Sequence, residues 1–231
     1  MASRFSWFLC SLLALLFCHD AAFAAKKPQQ IDIKTLQEMT GKGYPAPNGK
    51  QYAVLHLTGK KLKDLKCPQI AYKCTRNVDA NCNFAPVFSV SLLKWFEETF
   101  RHSEWQLIHT ALRPMLQKWQ ANNSDDSDNT KCPESLYLYS YFAPDYIPDR
   151  IKFGYTCTQA IVTQIPNILN EKGCKNKTRI VVGFSKVMNK TEACGGYRFM
   201  KQNKITVYDL GSRLQNKQLN CRGIPDFEKL G

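Results

Sequence analysis

Ser135-Leu136-Tyr137-Leu138-Tyr139-Ser140-Tyr141-Phe142 (SLYLYSYF) runs directly into Ala143-Pro144-Asp145. Its aromatic density predicts a strand that stops at the proline, which has no N–H to give to a ladder. Downstream, Thr178–Val187 (TRIVVGFSKV) is apolar enough for a central strand, and Ile205–Leu210 (ITVYDL) reads as another. Between the first two, Thr158–Asn170 has helical apolar spacing, with Pro166 expected to interrupt it. Upstream, Tyr52–Thr58 (YAVLHLT) is a strand closed by Gly59-Lys60-Lys61, with Ile70–Thr75 as its expected hairpin partner. Ile31–Met39 predicts a short helix. Val87–Phe100 and Trp105–Trp119 predict two more, with Pro114 kinking or restarting the second. Ala121–Thr130 (ANNSDDSDNT) reads as an exposed polar loop. Strands separated by helices predict an α/β layer structure.

The first residues read as a secretory leader. Arg4 precedes the apolar run Phe5–Cys18, and Ala21-Ala22-Phe23-Ala24 offers a small-x-small cleavage site, so residues 1–24 are expected to be removed. Residues 25–231 are then expected to form a single domain. The run falls short of the roughly 20 apolar residues of a spanning helix. Of ten cysteines, Cys10 and Cys18 leave with the leader. Cys67, Cys74, Cys82, Cys132, Cys157, Cys174, Cys194 and Cys221 remain as disulfide candidates, an even set without the paired C-x-x-C spacing of structural zinc. Asn122, Asn176 and Asn189 each open an N-x-Ser/Thr glycosylation sequon. The formal charge of +13, spread along the chain, predicts a polyanion partner such as phosphates, anionic glycans or an anionic membrane surface.

The element order helix, hairpin, helix, strand, helix, strand carries a resemblance. Trp105-Gln106-Leu107-Ile108-His109-Thr110-Ala111 falls where zinc-dependent cytidine deaminases carry H-x-E at a helix start. Tyr137–Asp145 falls where they carry an apolar strand ending in P-C-x-x-C. Over roughly residues 52–210 the chain resembles a secreted, fish-type member of the AID/APOBEC-like deaminases. The resemblance implies a three-layer cytidine-deaminase-like fold, a mixed central sheet flanked by helices. In that alignment His109 keeps the histidine position, Ala111 replaces the glutamate, Asp145 replaces the first cysteine, and Asp149 lies near the second.

A methyl group relays no proton, and acid–base catalysis contributes about 10²–10⁴ in rate, so this alignment implies a pseudoenzyme. It has no working catalytic residue, and zinc is expected only if atypical ligands join His109, with Asp145 and Asp149 as weak candidates. Glu104 precedes His109 and would need a different geometry, while Cys157, twelve residues after Asp145, is within reach of a displaced metal but is expected in a disulfide. The expected activity is binding of single-stranded nucleic acid or another polyanion. Tyr139, Tyr141 and Tyr146 would border the remnant pocket, with Lys60, Lys61, Lys63, Lys66, Arg150 and Lys152 on the basic surface.

Two other classes stand beside it. One is an active nucleic-acid-modifying enzyme, either an atypical zinc deaminase on His109, Asp145 and Asp149 or a ribonuclease using His102 and His109. The other is an extracellular protein-interaction or microbial-surface-binding protein.

Overall fold

The computed structural model describes residues 29–40, 52–58, 84–88, 102–122, 132–147, 156–211 and 219–224. Lys60, Lys61, Asp149, Arg150, Lys152, Cys67, Cys74 and Cys82 lie outside these residues, as do the leader, the Ile70–Thr75 hairpin arm and most of the Ala121–Thr130 loop. The described chain is α/β. Helix α1 (29–40) precedes β1 (Tyr52–Thr58) and β2 (Phe84–Phe88). Helix α2 (Ser103–Gln106) passes through a π-helical turn (Leu107–Ala111) into α3 (Leu112–Asn122). Then follow β3 (Ser135–Phe142), α4 (Cys157–Glu171), β4 (Arg179–Lys186), α5 (Lys190–Gln202) and β5 (Thr206–Asp209).

The strands form one mixed sheet in the order β2-β1-β3-β4-β5. β1 is antiparallel to β2 and β3, whereas β3, β4 and β5 are parallel. The parallel joins require crossovers, and α4 and α5 supply them. Side-chain alternation divides the sheet into two faces. Leu136 and Leu138 of β3, Leu55 of β1 and Val182 of β4 pack with α2 to α5, whereas Tyr137, Tyr139, Tyr52 and Val181 pack with Leu36 and Met39 of α1.

Three local expectations change. The partner of β1 is Phe84–Phe88, so Val87 and Phe88, expected to open a helix, lie in a strand; the rest of that expected helix lies outside the described residues. Pro86 sits within β2 because β2 is the sheet edge, where a missing N–H is tolerated. Pro166 does not interrupt α4, which continues while Ile161, Ile165, Ile168 and Leu169 bury its apolar stripe on either side. That burial outweighs the roughly 3 kcal/mol that a helical proline costs. Pro114 follows the π-helical turn, where the regular i→i−4 ladder is already interrupted.

The ends of α4 are closed locally. Thr156 and Gln159 form a reciprocal capping box, so the first helical residue is Cys157. At the other end Gly173, at φ 72°, lets Cys174 N–H reach the Leu169 carbonyl and Gly173 N–H reach the Asn170 carbonyl, a Schellman closure. Disulfides join Cys132 to Cys174 and Cys194 to Cys221. Among the described residues no helix is long and apolar enough to cross a membrane.

On the face opposite α4 and α5, α1 is held by one buried carboxylate. Asp32, wholly buried, accepts from Tyr137 Oη at 2.7 Å, Tyr208 Oη at 2.9 Å and both terminal nitrogens of Arg179. Gly183 of β4 admits this helix, since a Cβ there would stand 2.8 Å from the Leu36 side chain.

Candidate metal centre

Three elements converge at the carboxyl end of β3. That strand delivers Pro144 and Asp145 just past its last residue, α4 begins at Cys157, and α2 begins at Ser103 with His102 as its N-cap. His102, Asp145 and Cys157 each offer a ligand atom, and these atoms all lie within 4.8 Å of one another. His102 Nδ1 is 3.7 Å from Asp145 Oδ1. The same oxygen accepts the Cys157 backbone N–H at 2.8 Å, so the first turn of α4 orients the carboxylate.

Burial is graded across the group. His102 is half exposed, Asp145 is 24% exposed, and Cys157 is buried. Glu104 stands behind them at 1% exposure. Its carboxylate accepts from Ser140 Oγ at 2.6 Å and from Ser103 Oγ at 3.1 Å, and the Cys157 thiol points to it at 3.8 Å. Ser140 reaches Glu104 because even-numbered residues of β3 face the α2–α5 side.

The electrostatics favour a cation. Burial, then the negative charge of Glu104 and Asp145, hold the Cys157 thiol well above its ordinary value. Burial also pushes the Asp145 carboxyl up, but contact with His102, the charge of that imidazole and the Cys157 amide outweigh it and leave the group below the usual carboxylate range. A divalent ion among these atoms would reverse the thiol's preference for its proton. Imidazole, carboxylate and thiol are the side-chain types that can ligate zinc, and His102 gives the group an exposed side.

His109 is not a member of this group. It lies seven residues along the helix from His102, roughly 10 Å by helical rise. Its ring stacks on Trp105 with centroids 3.7 Å apart, and its Nδ1 bonds the Trp105 carbonyl at 2.9 Å. The same seven-residue separation, about 10 Å along the helix, lies between the two histidines that a ribonuclease would use as a pair. Ala111 is buried among core residues.

The tyrosines divide as well. Tyr139 is buried on the α1 face, donating to Ser185 Oγ at 2.8 Å, and Tyr141 stacks on Tyr52 on that same face. Neither borders the group, because odd positions of β3 point away from it. Tyr146, next to Asp145, stacks on Phe199 of α5. Cys157 is a free thiol rather than a disulfide partner, since its place at the start of α4 turns it toward Glu104 and Asp145. Of the expected disulfide cysteines, Cys132, Cys174, Cys194 and Cys221 are paired. Asn176 and Asn189 are exposed.

His102 and Glu104 enter the sequence reasoning separately; together His102-Ser103-Glu104 reads H-x-E, seven residues before the His109–Ala111 triplet. No protein-family model matches the sequence, and no curated protein matches it.

Proposed function

We propose that the chain is a zinc-dependent hydrolytic deaminase of an amino-bearing nucleobase, exported from the cell and attracted to its substrate by positive charge. The observation that carries the reading is the convergence of His102, Asp145 and Cys157 with Glu104 packed directly behind them. The strand order, with β1 antiparallel to its neighbours and β3 to β5 parallel, supports a three-layer cytidine-deaminase-like fold. In that fold class the H-x-E sits at a helix start and the remaining ligands lie at a strand end and the next helix start. On this reading His102, Asp145 and Cys157 would fill those places, with an aspartate and a longer spacing in place of P-C-x-x-C.

Zinc on these three residues would supply a water that gives up its proton near neutral pH. The rest of the work falls to the chain. Glu104 would carry the water's two protons in turn, the first to the ring nitrogen as the oxygen adds and the second, from the added hydroxyl, to the departing amine, so that the water oxygen replaces the exocyclic nitrogen and ammonia leaves. Ser140 and Ser103 fix the carboxylate from one side, leaving its rotamer little freedom. The alternative, an inactive pseudoenzyme, rests on Ala111 at the glutamate position and on the loss of both cysteines; on the present reading Glu104 and Cys157 would supply the glutamate and one thiolate.

Export is supported by the leader-like residues 1–24 and by two disulfides, and steering toward phosphates by the net charge of +13. The test is incubation of the purified chain with cytosine-containing single-stranded oligonucleotide and with cytidine. Uracil is expected, and Glu104→Gln should keep the metal while losing about 10²–10⁴ in rate. Strand cleavage without base conversion, or a Glu104→Gln variant as fast as the parent, would overturn the assignment.

A further inference from the structure

We propose that Asn189 and Asn176 are both N-glycosylated, placing one glycan at each end of the sheet. The sequons Asn189-Lys190-Thr191 and Asn176-Lys177-Thr178 are carried on exposed asparagines. Asn176 lies in the turn between α4 and β4, at the end where Arg179 pairs with Ser135. Asn189 lies in the β4–α5 connection at the opposite end, where Ala143 N–H bonds the Lys186 carbonyl two residues before Asp145. Farther along α5, Gly196 packs on Thr158 and Tyr146, so this helix stands beside the metal-centre residues.

Asn189 is also the N-cap of α5, and its two roles use different atoms. Its Oδ1 accepts from the N–H groups of Thr191 at 3.0 Å and Glu192 at 3.3 Å. Its Nδ2 makes one bond, to Glu192 Oε1 at 2.8 Å. In glycosylation a C1–Nδ2 bond forms while the C1–O bond to the diphosphate of a lipid-linked oligosaccharide breaks. The displaced amide proton leaves with the diphosphate. Oδ1 is untouched, and the secondary amide retains one N–H for Glu192. Thr191 serves the cap through its backbone nitrogen alone, so its hydroxyl remains available to complete the sequon. At the second site Thr178 Oγ1 bonds the Pro133 carbonyl at 2.7 Å in the folded chain, so Asn176 must be modified before that contact closes.

The full chain, secreted by cultured eukaryotic cells, would be treated with an endoglycosidase that converts glycosylated Asn to Asp, then mapped by mass. Conversion at positions 189 and 176 is expected. Asn189→Asp and Thr191→Ala each remove the glycan but keep the cap, so both should fold with the parent's melting temperature after deglycosylation. Asn189→Ala removes both and should melt lower. Recovery of an unmodified Asn189 or Asn176 peptide, whether from a chain that is not exported or from a sequon that is skipped, overturns the proposal. The readout is mass, so it stands or falls separately from deaminase activity.

Discussion

Replacing Asp32 with Ala should be among the most destabilising single changes in the described chain. The carboxylate is wholly buried and is the shared acceptor of Tyr137, Tyr208 and Arg179. Its removal strands two hydroxyls on buried residues, at about 1–3 kcal/mol each. The Arg179 side chain is 39% exposed and can turn to water, so its loss adds little. The sum is about 2–6 kcal/mol, which spans the usual cost of breaking a buried charged pair. For a chain of this size that is a fall in melting temperature of roughly 10 °C. The assay is thermal and urea unfolding of the parent, Asp32→Ala, Tyr137→Phe/Tyr208→Phe, and the triple variant. Because the penalty lies in unsatisfied donors, removing the two hydroxyls should restore part of the stability lost by Asp32→Ala. An Asp32→Ala protein within about 1 kcal/mol of the parent, or strictly additive losses in the triple variant, would refute the reasoning.

Gly183→Ala drives a Cβ into Leu36 at 2.8 Å and should cost about 1–3 kcal/mol by urea unfolding, with no effect if α1 packs elsewhere. Replacing Cys132 and Cys174 with Ser opens a loop closed over 42 residues, worth about 4 kcal/mol in the chain-entropy treatment, and should leave Cys157 chemistry intact because the bridge lies at the far end of α4. At alkaline pH the tyrosines at Asp32 should set a limit. Burial first, then the bond to Asp32 and its charge, push Tyr137 up to about 12, and Tyr208 is raised for the same reasons. The folded chain therefore holds protons that the unfolded chain releases from about pH 10. Their contribution is complete below that pH and is lost as pH rises toward 12, which unfolding followed from pH 9 to 12 would show as a decline blunted in Tyr137→Phe.

Strands β1, β3, β4 and β5 were legible in the sequence because their apolar and aromatic residues alternate or cluster without competing helical spacing. Phe84–Phe88 was not, because a strand with Pro86 at its centre is acceptable only at an edge, and edge position is a property of the sheet. The helix expected from Trp105 begins two residues earlier, at Ser103, because its N-cap His102 makes no side-chain cap bond that would mark the start. The place of Asp145 just past β3 was legible, since the strand and its proline mark it locally. The spacing of Cys157 to Asp145 was legible, but its free thiol was not: the Thr156–Gln159 capping box fixes the helix start at Cys157. Oxidising conditions favour disulfides for exposed cysteines, and this one is buried against a carboxylate.

Metal content is the most direct test of the centre. Purified parent and His109→Ala should each carry one zinc per chain, whereas His102→Ala, Asp145→Ala and Cys157→Ser should carry little or none while remaining folded. Zinc that follows His109, or that is bound as well without His102 and Cys157 as with them, would contradict the account.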